Sequence, residues 1–212
     1  MLLSRGVPVA ATLVGSTALA VALHGRRRDH RSSTPVALLV AAVLGLAATQ
    51  TLQGYVGQVG TAVVLSNVGV LCLHVAVVAW FWDAVDRRES IPSSSAAVVA
   101  VPFVVAQGLV WTTSLYWTQY ELVNYGGMTV LGGESGPAYL PVVALVYLTV
   151  LAGAAVHAFG LLKRDVGSGV AAGGTVFILL GTVVGLVGGG PYASTLGTSF
   201  WALVTAVSLE VD

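Results

Sequence analysis

Charged residues are scarce in this chain. Asp, Glu, Lys and Arg make up 8% of its 212 residues, hydrophobic residues make up 56%, and the mean hydropathy is +0.89. Soluble domains carry about 25% charged residues. A water-soluble bundle could not keep so apolar a surface in solution, so the composition excludes a soluble domain. We therefore expect a protein of the lipid bilayer with no nucleic-acid partner.

Cysteine and lysine are almost absent. The single cysteine, Cys72, lies inside an apolar run, which excludes a disulfide framework and a thiolate metal cluster. A retinal protein needs a lysine in its last helix for the Schiff base, yet the only lysine is Lys163. The chain also lacks a phosphate-binding loop, a His/Cys/Asp cluster with metal spacing and a plausible Ser/His/Asp set. We predict no enzymatic activity, no metal site and no cofactor.

Long apolar runs are what the chain has instead, and a run of roughly 20 residues spans a ~30 Å hydrocarbon core as a helix. The clearest run covers residues 138–162 and ends at Lys163 and Arg164. The pattern predicts an all-α, polytopic membrane bundle in which residues 1–212 form a single domain. An uncleaved first span is favoured over a cleaved signal peptide, because arginines follow it. The seven predicted spans, with six or eight as alternatives, are residues 7–23, 36–52, 61–82, 96–115, 138–162, 169–187 and 195–211.

The bases are distributed unevenly along the chain, and their positions predict its orientation. Lys and Arg are retained on the cytoplasmic side of a membrane. Only Arg5 lies outside loops one, three and five. We therefore expect a multi-pass protein of the plasma membrane with its N-terminus outside and its C-terminus inside. The longest outer segment, residues 116–137, has no base and suggests a short strand at 129–131. The eight bases in the inner loops are Arg26, Arg27, Arg28, Arg31, Arg87, Arg88, Lys163 and Arg164.

Two histidines lie within predicted spans, His74 in the third and His157 in the fifth. Ionisable groups inside a membrane are costly and are functional candidates by default. The ordinary interpretation is an imidazole hydrogen-bonded across a helix interface. The alternatives are an intramembrane switch or proton relay, and ligation of a haem iron by the two imidazoles.

A second set of polar residues falls in the outer half of the predicted bundle. These residues would line either a ligand pocket that opens outward or an interhelical hydrogen-bond seam. Glu121 and Glu134 in the outer segment above would favour a neutral or cationic ligand. The members of the set within the spans are Gln50 and Gln53 on the second span, Asn67 on the third, and Gln107 and Trp111, spaced i and i+4, on the fourth.

Glycines recur on a four-residue rhythm in the sixth span. Small residues at this spacing allow helix backbones to approach closely. The rhythm predicts close packing within the bundle, with homodimerisation through the sixth helix as the alternative. The glycines are Gly169, Gly173, Gly181, Gly185 and Gly189.

Several local motifs together resemble a known membrane module. A first span is followed by arginines, a third span ends in Trp80, Phe81 and Trp82 before Asp83, and a turn Gly136-Pro137-Ala138-Tyr139 opens the fifth span, which carries Tyr147. Over essentially the whole chain, this pattern is similar to the N-terminal seven-transmembrane region of prokaryotic histidine kinases.

The resemblance implies a membrane-embedded sensory or regulatory module. Since no kinase core follows the last span, it also implies a stand-alone sensor that signals to a separate kinase or regulator at the cytoplasmic face. Two other functions stay open from the residues alone. They are a small transporter or channel component, and a haem-binding subunit of a membrane complex.

Overall fold

The computed structural model describes residues 2–27, 33–88, 90–92, 94–125, 128–184 and 193–210. Arg28, Arg31, Gly185 and Gly189 lie outside them. The predicted all-α membrane bundle is confirmed, with one small hairpin added to it. The described elements are α1 (Leu2–Arg27), α2 (Ser33–Gln53), α3 (Val59–Asp86), α4 (Ser94–Thr112), β1 (Glu121–Tyr125), β2 (Met128–Gly132), α5 (Tyr139–Leu161), α6 (Val166–Val184) and α7 (Ala193–Ser208).

The surface and the interior of the bundle are those of a membrane protein. Six helices, α1 to α6, are long and apolar enough to cross a bilayer, whereas the 16 described residues of α7 extend about 24 Å. Val98, Val104 and Leu148 are all more than 60% exposed, while Asp83 and His157 are fully buried. Apolar side chains therefore face outward, and these two ionisable side chains lie between helices.

The helices pack as a ring with α4 at its edge. The order around the ring is α1, α2, α3, α5, α6 and α7, and α7 returns to α1 and also contacts α2. α4 packs mainly against α3. Alanine and valine dominate the buried core, with Trp80 and Trp201 as its largest side chains. Small residues at the interfaces allow the close approach that membrane helices need in place of a hydrophobic driving force.

The glycines of α6 have different surroundings. A Cβ at Gly181 would meet the Ala193 carbonyl oxygen at 2.7 Å and the Gly197 Cα at 3.0 Å, so α6 and α7 are in backbone contact there. A Cβ at Gly173 would meet no atom within 4 Å. Part of the rhythm therefore serves packing within the bundle, and homodimerisation through α6 stays a prediction.

The turn between α5 and α6 closes one helix and begins the next. The Asp165 N–H donates to the Gly160 carbonyl and the Arg164 N–H to the Leu161 carbonyl, at 3.1 and 2.9 Å. This pair of hydrogen bonds is that of a Schellman cap, and Arg164 takes the left-handed backbone conformation with φ of 67°. The Asp165 carboxylate then accepts from the Ser168 N–H at 2.8 Å and caps α6.

The segment of residues 116–137 contains a complete hairpin. β1 pairs antiparallel with β2, with Glu121 opposite Gly132, and the buried Met128 packs beside Gly54 at the end of α2. Only residues 129–131 were expected to be extended, so the first strand was missed. Its sequence signal is two β-rich runs separated by Gly126-Gly127, which is a hairpin pattern.

Candidate functional site

A cavity of about 230 Å³ lies between α2, α3, α5, α6 and α7 toward the hairpin. We call it the hairpin-side cavity. At one side the Thr195 hydroxyl donates to Gln50 Oε1, and at another Tyr147 and Thr182 share a hydrogen bond of 2.7 Å. Of the residues described, no charged side chain lines this cavity. It therefore suits a neutral molecule.

Three aromatic residues form a cluster at the hairpin end of the cavity. The Tyr116 ring lies 5.5 Å from the Trp117 ring and 5.3 Å from the Tyr139 ring, centroid to centroid. Tyr116 and Tyr139 both line the cavity. Burial, with a smaller contribution from Tyr139, raises the pKa of the Tyr116 hydroxyl above its usual range. This hydroxyl therefore stays protonated and can both donate and accept hydrogen bonds.

The predicted residues on α3 and α4 form one chain of hydrogen bonds. The Trp111 indole N–H donates to Gln107 Oε1 at 3.1 Å, and Gln107 Nε2 lies 2.8 Å from His74 Nδ1. His74 is 2% exposed and its ring packs edge-on against Phe103 at 4.9 Å. The sequence grouped Gln107 with Trp111 correctly by spacing, but it did not connect either residue to His74.

The other predicted ligand-binding residues are dispersed. Asn67 is buried on α3, and its Oδ1 has no hydrogen-bond partner in the described part of the chain. Gln53 donates from Nε2 to the Ala62 carbonyl at 3.2 Å, a link between α2 and α3. Glu121 and Glu134 are exposed at the hairpin, and neither lines the cavity. These two carboxylates therefore give no support to the expected preference for a neutral or cationic ligand over an anion.

A second polar cluster lies at the opposite end of the bundle, where α3 and α5 terminate; we call this the charged end. Asp83 is fully buried, and its two carboxylate oxygens share the single Arg87 Nε–H at N···O distances of 3.1 and 3.2 Å. Arg87 also donates to the Ser208 hydroxyl at 3.1 Å. The predicted third span, residues 61–82, stops one residue before Asp83. α3 continues to Asp86, so Asp83 faces the bundle interior.

Arg88, the next residue, contacts the α5–α6 turn and the start of α6. Arg88 donates to the Ser168 hydroxyl at 2.9 Å and to Asp165 at 3.4 Å, and its guanidinium occupies the space beside Gly160. Partial burial would raise the pKa of the Asp165 carboxyl, but the Ser168 hydrogen bonds and the charges of Arg87 and Arg88 outweigh it and lower this pKa. The two arginines thus connect α3 to α7 and to the α5–α6 turn.

His157 belongs to this charged-end cluster. Its Nε2 lies 3.4 Å from an Asp83 carboxylate oxygen, and its ring lies 4.4 Å from Trp80. His74 precedes Asp83 by nine residues on α3, about 13 Å along the helix axis. The two histidines therefore lie in different sites.

The family model described as the N-terminal 7TM region of histidine kinase matches residues 8–210. The chain belongs to this family. The resemblance read from the sequence is confirmed, and the chain is a membrane sensory module. A comparison with curated proteins gave no match. The family comprises the sensor region without the kinase core.

Membership in this family does not by itself indicate which residues act. The structure adds Asp83, Arg87 and Ser208 to the residues that the sequence singled out. One signal could have found Asp83, since it precedes Arg87 by four residues and the two face each other on one helix. Ser208 had no such signal, because its contact with α3 is long-range.

Proposed function

We propose that this chain senses a ligand or the state of the plasma membrane through its hairpin-side cavity, and signals to a separate kinase, receiver or regulator at the charged end. The observation that supports the proposal is that α3, α5, α6 and α7 line the cavity and also carry the charged-end cluster. A change in the packing of these helices at the cavity therefore acts on the cluster. The signal must have different affinity for two conformations of the bundle.

Trp80 supplies a contact between the two regions. It lies six residues after His74 and three before Asp83 on α3. Its indole N–H donates to the Val150 carbonyl on α5 at 3.1 Å, and its ring contacts Trp201 on α7 at 5.2 Å. Gly153 leaves room for the indole, since a Cβ there would overlap it. Movement of α3 against α5 or α7 has to rearrange this side chain.

The charged end is the surface at which we place the output protein. Lys163 and Arg164 are exposed there, and the positive-inside rule favours a cytoplasmic location for them. A kinase or regulator that contacts this end would meet the termini of α3 and α5. Arg87 and Arg88, which follow α3, are held by the buried cluster. A shift of that cluster changes the surface presented to the partner.

The single lysine makes a selective test feasible. In membranes of the native host, an amine-reactive crosslinker will couple Lys163 to a neighbouring lysine, and the product is identified by mass spectrometry. We expect a kinase, a receiver or a transcriptional regulator. The matched control is Lys163→Arg, which keeps the charge but cannot react, so a genuine product disappears in it.

Recovery of transporter, channel or oxidase subunits through Lys163 would contradict the sensory function. The same is true if the charged end reacts only with a membrane-impermeant reagent added from outside, because the output surface would then face away from the cytoplasm.

A further inference from the structure

The orientation of the Gln107 amide follows from its neighbour. An indole nitrogen can only donate a hydrogen bond. Because Trp111 Nε1 lies 3.1 Å from Gln107 Oε1, this oxygen is the acceptor, and the amide NH₂ is the group directed at His74. The Gln107 side chain therefore donates to His74 Nδ1, 2.8 Å away.

This hydrogen bond determines the protonation of the His74 ring. A ring nitrogen that accepts carries no proton, so the proton of the neutral imidazole lies on Nε2. Nε2 is buried and has no hydrogen-bond partner among the described residues. Such a donor costs free energy in an apolar environment until an acceptor reaches it. The chain from Trp111 through Gln107 thus presents one N–H donor at His74.

His74 lies where two spaces meet. It lines the hairpin-side cavity, and it also lines a groove of about 470 Å³ between α2, α3 and α4. Apart from His74 and Gln107, the described residues lining the groove are all apolar: Leu38, Leu71, Val75, Val78, Ala100, Phe103 and Val104. Leu38, Leu71 and Val104 are exposed on the surface that faces lipid. A molecule dissolved in the bilayer can therefore reach His74 sideways.

The depth of His74 restricts which molecules qualify. It lies twelve residues before the end of α3 at Asp86, about 18 Å along the axis. Half of a hydrocarbon core is about 15 Å, so His74 is near the bilayer midplane. The ester carbonyls of phospholipids lie at the interface and do not reach it. A bilayer molecule that supplies the acceptor must therefore carry its polar group into the hydrocarbon.

We propose that the groove between α3 and α4 is the ligand entrance of the sensor, and that its ligand is a bilayer-dissolved apolar molecule with a carbonyl group, such as a ketone or a quinone, which accepts a hydrogen bond from His74 Nε2. The apolar body fills the groove, and the carbonyl satisfies the buried donor. This inference rests on the proposed sensory function and names the ligand class of the same site.

The test uses the whole chain in phosphatidylcholine nanodiscs. Radiolabelled undecan-2-one and undecane are compared by equilibrium dialysis, with the uptake by empty nanodiscs subtracted, so that the two probes differ by one carbonyl oxygen. We expect saturable binding of the ketone, roughly 3- to 10-fold tighter than the alkane, which is the range for one net hydrogen bond. His74→Phe should abolish this preference. His74→Gln, which retains an N–H donor, should restore it.

A spectroscopic measurement covers the case in which His74→Phe fails to fold. With ¹⁵N-histidine label, we expect a His74 ring with Nε2 protonated and Nδ1 bare, and saturable perturbation of the Nε2 signal by undecan-2-one. An opposite tautomer, or a signal that the ketone does not move, overturns the inference. So does equal affinity for ketone and alkane.

The two experiments together distinguish a wrong ligand class from a wrong sensory function. If the ketone and the alkane bind equally while Lys163 still crosslinks to a kinase or receiver, the sensor stands and this ligand class is wrong. If the ketone binds at His74 while Lys163 crosslinks to transporter subunits, the site stands and the sensory function is wrong.

Discussion

Replacing Asp83 by asparagine should destabilise the bundle more than any other removal of a single charge. Asp83 is fully buried and Arg87 has a side chain only 5% exposed, with 3.1 Å between Nε and Oδ1. At an effective dielectric constant of about 20, unit charges at this distance attract by roughly 5 kcal/mol. The Asp83→Asn variant leaves the Arg87 cation without that carboxylate, and breaking a buried pair in this way costs about 3–5 kcal/mol.

We expect a loss near the lower value. Arg87 lies near a helix end, where a long side chain can partly reach the headgroups. The free energy of unfolding is measured by circular dichroism during titration of mixed micelles with dodecyl sulfate. Asp86→Asn is the matched control, because it removes the same charge three residues later from a partly exposed position. Its effect should stay within about 0.5 kcal/mol.

The double variant Asp83→Leu with Arg87→Met distinguishes a broken pair from a lost contact. With both charges replaced by apolar groups, it should be more stable than Asp83→Asn alone. Equal losses for Asp83→Asn and Asp86→Asn, or a double variant that is the least stable of the three, would contradict a stabilising buried ion pair.

Three further predictions concern packing, pH and backbone strain. Gly153→Ala should lower the free energy of unfolding by about 1–3 kcal/mol, because its Cβ would overlap the Trp80 indole. The control Gly173→Ala, whose Cβ would meet no atom within 4 Å, should be neutral or stabilising. Equal losses of stability in the two variants would refute the contact between Gly153 and Trp80. The Asp165 carboxyl has a folded pKa below its usual 3.8, so its contribution to the free energy of unfolding should be complete above pH 3.8 and should disappear as the pH falls through the lowered folded value. A series of melting temperatures over this pH range should show a decline that Asp165→Asn removes. An unaltered decline in the variant would count against the cap. Arg164→Gly should raise the free energy of unfolding by up to about 1 kcal/mol in the same titration, because Arg164 has a φ of 67°; a loss would mean that the side chain contributes more than the strain costs.

The sequence was sufficient for the class of fold because the apolar runs are long and the charges between them are few. Hydrophobic length and loop charge are local properties, and in lipid they leave few alternatives to a helix. The hairpin of residues 121–132 was also within reach, since Gly126-Gly127 separates two β-rich runs. It was missed because only its second run was considered.

The site was less accessible from the sequence. Spacing placed Gln107 and Trp111 on one face of α4, which is a property of a single helix. The pairing of Gln107 with His74, and of Arg87 with Ser208, depends on which helix faces which. The burial of Asp83 likewise depends on the arrangement of α3, α5 and α7.

Binding at His74 should change the charged end of the bundle. In a Cys72→Ser background, spin labels at Leu162→Cys on the end of α5 and Val207→Cys on α7, both exposed positions, report the distance between these helices by pulsed electron paramagnetic resonance. Undecan-2-one should shift the distance distribution by about 1–2 Å, and His74→Phe should abolish the shift. A distribution that stays unchanged while the ketone binds saturably would contradict this coupling.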